Sequence, residues 1–236
     1  MDQNHQVTAM PESEVTNNNS GMHRRNFLKI FGGTAAAAVV VASCDKDDDD
    51  NDTGIDLGSG DVGILNYAYA LEQLEAAFYT QVIATPYTGI TAVETEYLTD
   101  IRDHEVAHRN FFKAAITAAG ATPVQDLVPN FSSVNFTSRD SVLGTAKAFE
   151  DLGVSAYNGA GKLIANVDYL LIAGKIVSVE ARHAALIRDL ISNGSFADSS
   201  VINGQGLDVA STPRDVVATA NQFLNTKISA RNLPTS

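Results

Sequence analysis

A single cysteine, Cys44, stands in the 236 residues. One thiol cannot build an internal disulfide, so this one needs another explanation. Cations are scarce too, with 16 Lys and Arg against 28 Asp and Glu and a net charge of -12. No basic cluster exists beyond Arg24 and Arg25. Proteins that track phosphates carry their cations in patches, so nucleic acid is not an expected partner. No segment alternates apolar and polar residues in the manner of a strand, which points to an all-α domain. The one continuous small apolar run, Ile30 to Ala42, is too short to span a bilayer comfortably. What is present is 44% hydrophobic residues, enough for one sizeable core but hardly for two. Much of the acidity sits in one run from Asp45 to Asp52, which reads as a solvated tether.

The N-terminal residues read as an address. His23-Arg24-Arg25-Asn26-Phe27-Leu28-Lys29 precedes the apolar run, which ends in Val41-Ala42-Ser43-Cys44. Charged, then apolar, then small is the order of an export signal. The arginine pair with the following Phe-Leu-Lys resembles a twin-arginine signal, whose pathway carries folded proteins. Val-Ala-Ser-Cys resembles a bacterial lipobox, with cleavage before Cys44 and acylation of its sulfur. That would explain the lone cysteine better than a stray buried thiol does. The acidic residues after it are similar to the stretch that directs some bacterial lipoproteins to the cell surface. The expectation is an exported, lipid-anchored protein, periplasmic or surface-displayed, with residues 1–43 as signal, 44–60 as linker, 61–193 as the folded bundle and 194–236 as an extension.

Four long helices are expected within the bundle. Leu65, Tyr69, Leu71, Leu74, Phe78 and Val82 recur at helical spacing from Asp61 to Ile83. Thr85 to Gly89 breaks that helix, and Thr91 with Glu94 spells a capping box for a second one running to about Ala119. Gly120, Pro123, Pro129 and Asn130 punctuate a longer aperiodic stretch up to Thr137. Ser138 then caps a third helix to about Ala165, and Asp168 a fourth that ends before Asn193-Gly194. Short, long, short connections suit a bundle with one crossover. A fifth, shorter helix opens at Thr212-Pro213 and is expected on the outside.

The chemistry lies in a repeated pattern. Helix two carries Glu105-x-x-His108 and helix four Glu180-x-x-His183, each pair one turn apart and therefore on one side. Ile101 and Phe112 flank the first pair at the spacing with which Ile176 and Ile187 flank the second, so both pairs fall on core-facing stripes. Helix one adds Glu72 with Tyr79 seven residues on, and helix three adds Glu150 with Tyr157 seven residues on. Each half of the domain thus gives a Glu, then a Glu-x-x-His. A buried carboxylate costs several kcal/mol in order of magnitude unless paired. Four of them converging in a core call for cations. Glu75, one turn from Glu72, is the alternative to it, with the tyrosine register favouring Glu72. Tyr79 and Tyr157 read as core aromatics whose hydroxyls find carbonyls, with bonding to a ligand as the lesser reading.

This constellation resembles the ferritin-like superfamily, most closely its exported group that includes plant desiccation-related proteins, over about Asn66 to Ser192. The resemblance implies a ferritin-like four-helix bundle and a dinuclear site of two iron ions, with manganese also suited to imidazole and carboxylate donors. It further implies bridging roles for Glu105 and Glu180 and terminal ones for Glu72 and Glu150. Members include ferroxidases, iron stores, peroxidases and manganese catalases, so an Fe(II)-oxidising or oxygen- or peroxide-reducing activity is one expectation and a non-catalytic envelope or stress-protection module another. A homo-oligomer is compatible with either. His104-Glu105-Val106-Ala107-His108 also spells the zinc-peptidase motif, but that reading leaves Glu72, Glu150, Glu180 and His183 unexplained.

Overall fold

Residues 53–235 are described by the computed structural model; Arg24, Arg25 and Cys44, with the signal and anchor assigned to them, lie outside this range. Four long helices, α1 (Gly60–Ala84), α2 (Ala92–Ala118), α3 (Arg139–Gly161) and α4 (Val167–Ile191), are followed by a short α5 (Pro213–Ala220). Helices α1 and α2 form one hairpin and α3 and α4 the other, and α1 meets α3 across the bundle. No helix among the described residues is long and apolar enough to cross a membrane.

Local signals set most of the helix ends. Thr91 and Glu94 form the full capping box at the start of α2, and Ser138 caps α3 through the Ser141 amide. Thr212 caps α5, with Pro213 at its first position, where a missing N–H costs nothing. Two expectations are corrected. Helix α3 stops at Gly161 rather than near Ala165, and α4 is capped by Asn166, whose side chain accepts from the Asp168 amide, instead of by Asp168. The cause is tertiary: the carboxylate of Asp61, in the first turn of α1, accepts from the amides of Ala165 and Asn166 at 2.8 Å each. That holds the α3–α4 connection in a non-helical path.

Helix α1 is buried nearly all round, from Gly63 through Ala76 without a break. Such a helix needs cover on faces that α2 and α3 do not reach. The crossover at 119–138 supplies part of it. Buried Asn66 accepts from the Val124 amide at 3.0 Å and buried Gln73 from the Leu127 amide at 2.8 Å, so two polar groups inside the core serve the backbone of the crossover. Phe131 and Phe136 of the same segment pack edge-on and tilted against Phe78. The C-terminal extension supplies the rest. Its β2 (Ile228–Ser229) pairs in parallel with β1 (Ile55–Asp56), in the register Ile55 to Ile228. Two-residue strands carry no period that a sequence can display, and β1 falls within the stretch read as linker.

Gly159 lets the extension lie directly on α3. A Cβ there would sit 1.8 Å from the Ser211 carbonyl oxygen, while the Ser211 amide donates to the Ser155 carbonyl at 2.9 Å. Arg188, 3% exposed, holds the same side of the bundle by a two-pronged pairing with Asp151, both contacts 2.7 Å.

Candidate metal centre

All four long helices turn acidic or imidazole groups into the middle of the bundle. Glu105, Glu150 and Glu180 are fully buried, Glu72 is 1% and His183 4% exposed, and His108 is half-buried. Their positions follow from helical register: each Glu-x-x-His spans one turn, and Ile101, Phe112, Ile176 and Ile187 close the apolar stripe above and below. The six residues expected from sequence are therefore brought together. Nδ1 of His108 lies 3.0 Å from Glu180, 3.5 Å from Glu72 and 3.6 Å from Glu105. Nδ1 of His183 lies 2.9 Å from Glu105 and 3.4 Å from Glu150.

Two overlapping sets of donors result. Glu72, Glu105, His108 and Glu180 form one, and Glu105, Glu150, Glu180 and His183 the other, each with its donor atoms within 4.8 Å of one another. Glu105 and Glu180 belong to both. Despite these short approaches, eight atoms of the six residues make no well-angled hydrogen bond: both oxygens of Glu105 and of Glu180, one each of Glu72 and Glu150, and both Nδ1 atoms. Buried polar atoms are almost always satisfied, and eight such atoms gathered in one cluster of carboxylates and imidazoles are donors that a cation could satisfy. The donors therefore fit a metal site.

Charge tells the same story. Burial drives Glu72, Glu75, Glu150 and Glu180 above the usual carboxylate range, Glu150 to about 8, and the neighbouring carboxylates add to it in each case. Glu105 goes the other way, to about 2, because His108 and His183 outweigh its burial. Burial pulls the two imidazoles down, yet the surrounding glutamates overcome it and hold His108 at about 12 and His183 at about 10. Without metal the site keeps its protons; cations would replace them.

The tyrosines cross the bundle. Tyr79 of α1 donates to Glu150 of α3 at 2.5 Å, and Tyr157 of α3 donates to Glu72 of α1. Neither hydroxyl takes the carbonyl expected of a core tyrosine, because the seven-residue spacing keeps it on the stripe that faces the glutamates.

Two residues stand differently from their sequence reading. Glu72 and Glu75 are both buried at the cluster, Glu72 within a donor set and Glu75 beside the two sets without belonging to either. Its place in the second half of the repeat is taken by Gly153, where a Cβ would lie 3.3 Å from both Glu75 and Glu180. The signal was present in the repeat, since 72 to 75 corresponds to 150 to 153. His104 does not combine with His108 as the peptidase motif requires, and no metal-capable group among the described residues contains it. Its Nδ1 instead lies 3.0 Å from Nε2 of His183.

A two-hairpin helical bundle with imidazoles and carboxylates gathered in its centre is the architecture of metal-carboxylate proteins. The chain belongs to the ferritin-like domain family, whose sequence model matches residues 60–193. No curated protein matches it.

Proposed function

We propose that this protein is an exported, dinuclear metal protein of the cell envelope, loaded with two iron ions and acting on dioxygen or peroxide. The observation that carries the metal reading is the set of eight orphaned donor atoms converging from four helices. Glu72, Glu105 and His108 would hold one ion and Glu150, Glu180 and His183 the other, with Glu105 and Glu180 shared, in keeping with the two overlapping sets. Nitrogen and carboxylate donors without a thiolate favour iron or manganese. Ferrous ions, when bound, supply electrons for reducing an oxygen species.

The chain's own groups prepare the site for that role. Tyr79 and Tyr157 fix one oxygen each of Glu150 and Glu72, leaving the other oxygen of each free to face the centre. Phe112, Ile101, Ile176 and Ile187 exclude water along both glutamate-histidine stripes. Export through the twin-arginine pair at Arg24-Arg25 and anchoring at Cys44 complete the proposal, supported by their motifs. Export of a folded chain would let the ions be enclosed before the protein meets competing metals outside.

The test is metal analysis of the purified full chain beside a Glu105→Ala, Glu180→Ala double variant. Roughly two iron or manganese ions per chain, lost in the variant, are expected. A wild type that takes up no metal refutes the reading and leaves a helical envelope module.

A further inference from the structure

Glu72, Tyr79, Glu105 and His108 of one half recur as Glu150, Tyr157, Glu180 and His183 of the other, but one difference between the halves reaches the surface. His104, exposed on α2, lies with its ring parallel to that of His183, 7° between the planes and 5.2 Å between centroids. Its Nδ1 is 3.0 Å from Nε2 of His183. In the repeat the residue before Glu105 is His104, whereas the residue before Glu180 is Val179, so the helix that carries His183 offers His108 no such partner.

We propose that His104 is the positioning residue of His183, accepting its Nε2–H and thereby aiming the Nδ1 lone pair of His183 at the metal. The inference rests on the metal reading above. A neutral imidazole has one donor and one acceptor nitrogen, and an ion takes the acceptor. Nδ1 of His183 faces Glu105 and Glu150 at 2.9 and 3.4 Å, so it is the nitrogen turned to the ion and Nε2 must carry the hydrogen. The acceptor that meets it is Nδ1 of His104. Were the bond reversed, with His104 donating, the hydrogen of His183 would sit on Nδ1 and block the ion. His104 must then carry its own hydrogen on Nε2. Imidazole ligands commonly give their second N–H to a carboxylate, carbonyl or water, and a surface histidine fills that place here. Because only one half of the repeat has this support, the two ion positions are unequal, with the one at His183 held more firmly oriented and one imidazole away from solvent.

Two substitutions separate this role from bulk packing. His104→Leu keeps a side chain of similar reach but removes the acceptor. His104→Asn puts an amide oxygen the same number of bonds from Cα as Nδ1, restoring the acceptor. Ferrous ion is titrated anaerobically into each full-length protein by calorimetry. The wild type is expected to bind two ions, His104→Leu to lose about 10–100-fold in affinity for one of them only, and His104→Asn to recover it. Equal binding by His104→Leu, or an asparagine variant as weak as the leucine one, overturns the role of His104 while leaving the metal site intact. A wild type that binds no ion removes both. Nitrogen-15 shifts of His183 in the zinc-loaded wild type give an answer that needs no variant: a hydrogen on Nε2 supports the assignment and a bare Nε2 overturns it.

Discussion

Replacing Glu180 by glutamine should make the metal-free protein more stable and the metal-loaded protein less so. Glu180 is fully buried and neither of its oxygens has a well-angled hydrogen bond, while burial and the charge of Glu105 both oppose its ionisation. Glutamine keeps the shape, keeps an oxygen at the place now 3.0 Å from His108, and turns a repelling oxygen into an N–H donor among carboxylates. Relieving one unsatisfied buried group is worth about 1–3 kcal/mol. At about 2–4 °C per kcal/mol for a domain of this size, the melting temperature in chelator should rise by roughly 2–12 °C. With metal the order reverses. An ion present at a hundred times its dissociation constant stabilises the fold by about 2.7 kcal/mol, and Glu180 belongs to both donor sets, so the variant forfeits this at both positions. Thermal unfolding followed by circular dichroism, in chelator and in excess Mn(II), reads both arms. A variant that melts below wild type in chelator, or that gains as much from Mn(II) as wild type does, would refute the reasoning.

The other expectations address the supports of the site. Tyr157→Phe removes the hydroxyl that holds Glu72 and should cost about 1–3 kcal/mol of stability, seen as a lower denaturation midpoint in urea with an unchanged slope. In chelator, stability should be greatest in mild acid and fall as pH rises. Glu150 binds its proton more tightly folded than unfolded, so its contribution is complete below about pH 4.5 and lost through about 8; His183 and His108 act in the same sense from about 6.5 up to about 10 and 12. Within the cluster Glu105, lowered to about 2, works in the opposite direction, on the acid side of 4.5, and the lowered carboxyls of Asp56, Glu94 and Asp198 outside it act in that same acid-side sense. A chelated protein more stable at pH 8 than at pH 5.5 would contradict this assignment. Gly159→Ala forces a Cβ into the Ser211 carbonyl and should cost about 1–3 kcal/mol or more, loosening the extension enough for limited proteolysis to cut between α4 and α5 sooner than in wild type.

What could be read without coordinates was whatever chemistry repeats at short range. Glu-x-x-His twice, a glutamate seven residues before a tyrosine twice, and the Thr91-Glu94 box each lie within two helical turns, so register alone places them. What could not be read depends on partners far along the chain. Whether Tyr79 reaches Glu150 or a carbonyl is decided by how α1 faces α3, and the end of α3 by a carboxylate, Asp61, about a hundred residues earlier. His104 was misleading for the same reason: its spacing to His108 is local and spells a zinc motif, while the contact it makes lies on α4. Glu75 posed as a rival to Glu72 because a single helix cannot show that the glycine on α3 leaves room for both.

The two tyrosine contacts also bear on how the centre could ever be emptied. Each hairpin contributes a hydroxyl that steadies a glutamate belonging to the other, so neither hairpin by itself presents a supported carboxylate. Parting α1 from α3 would release both glutamates in a single event, whereas rotation of one side chain would leave the opposite strap in place. The two straps therefore tie the position of each terminal glutamate to the closure of the two hairpins on one another.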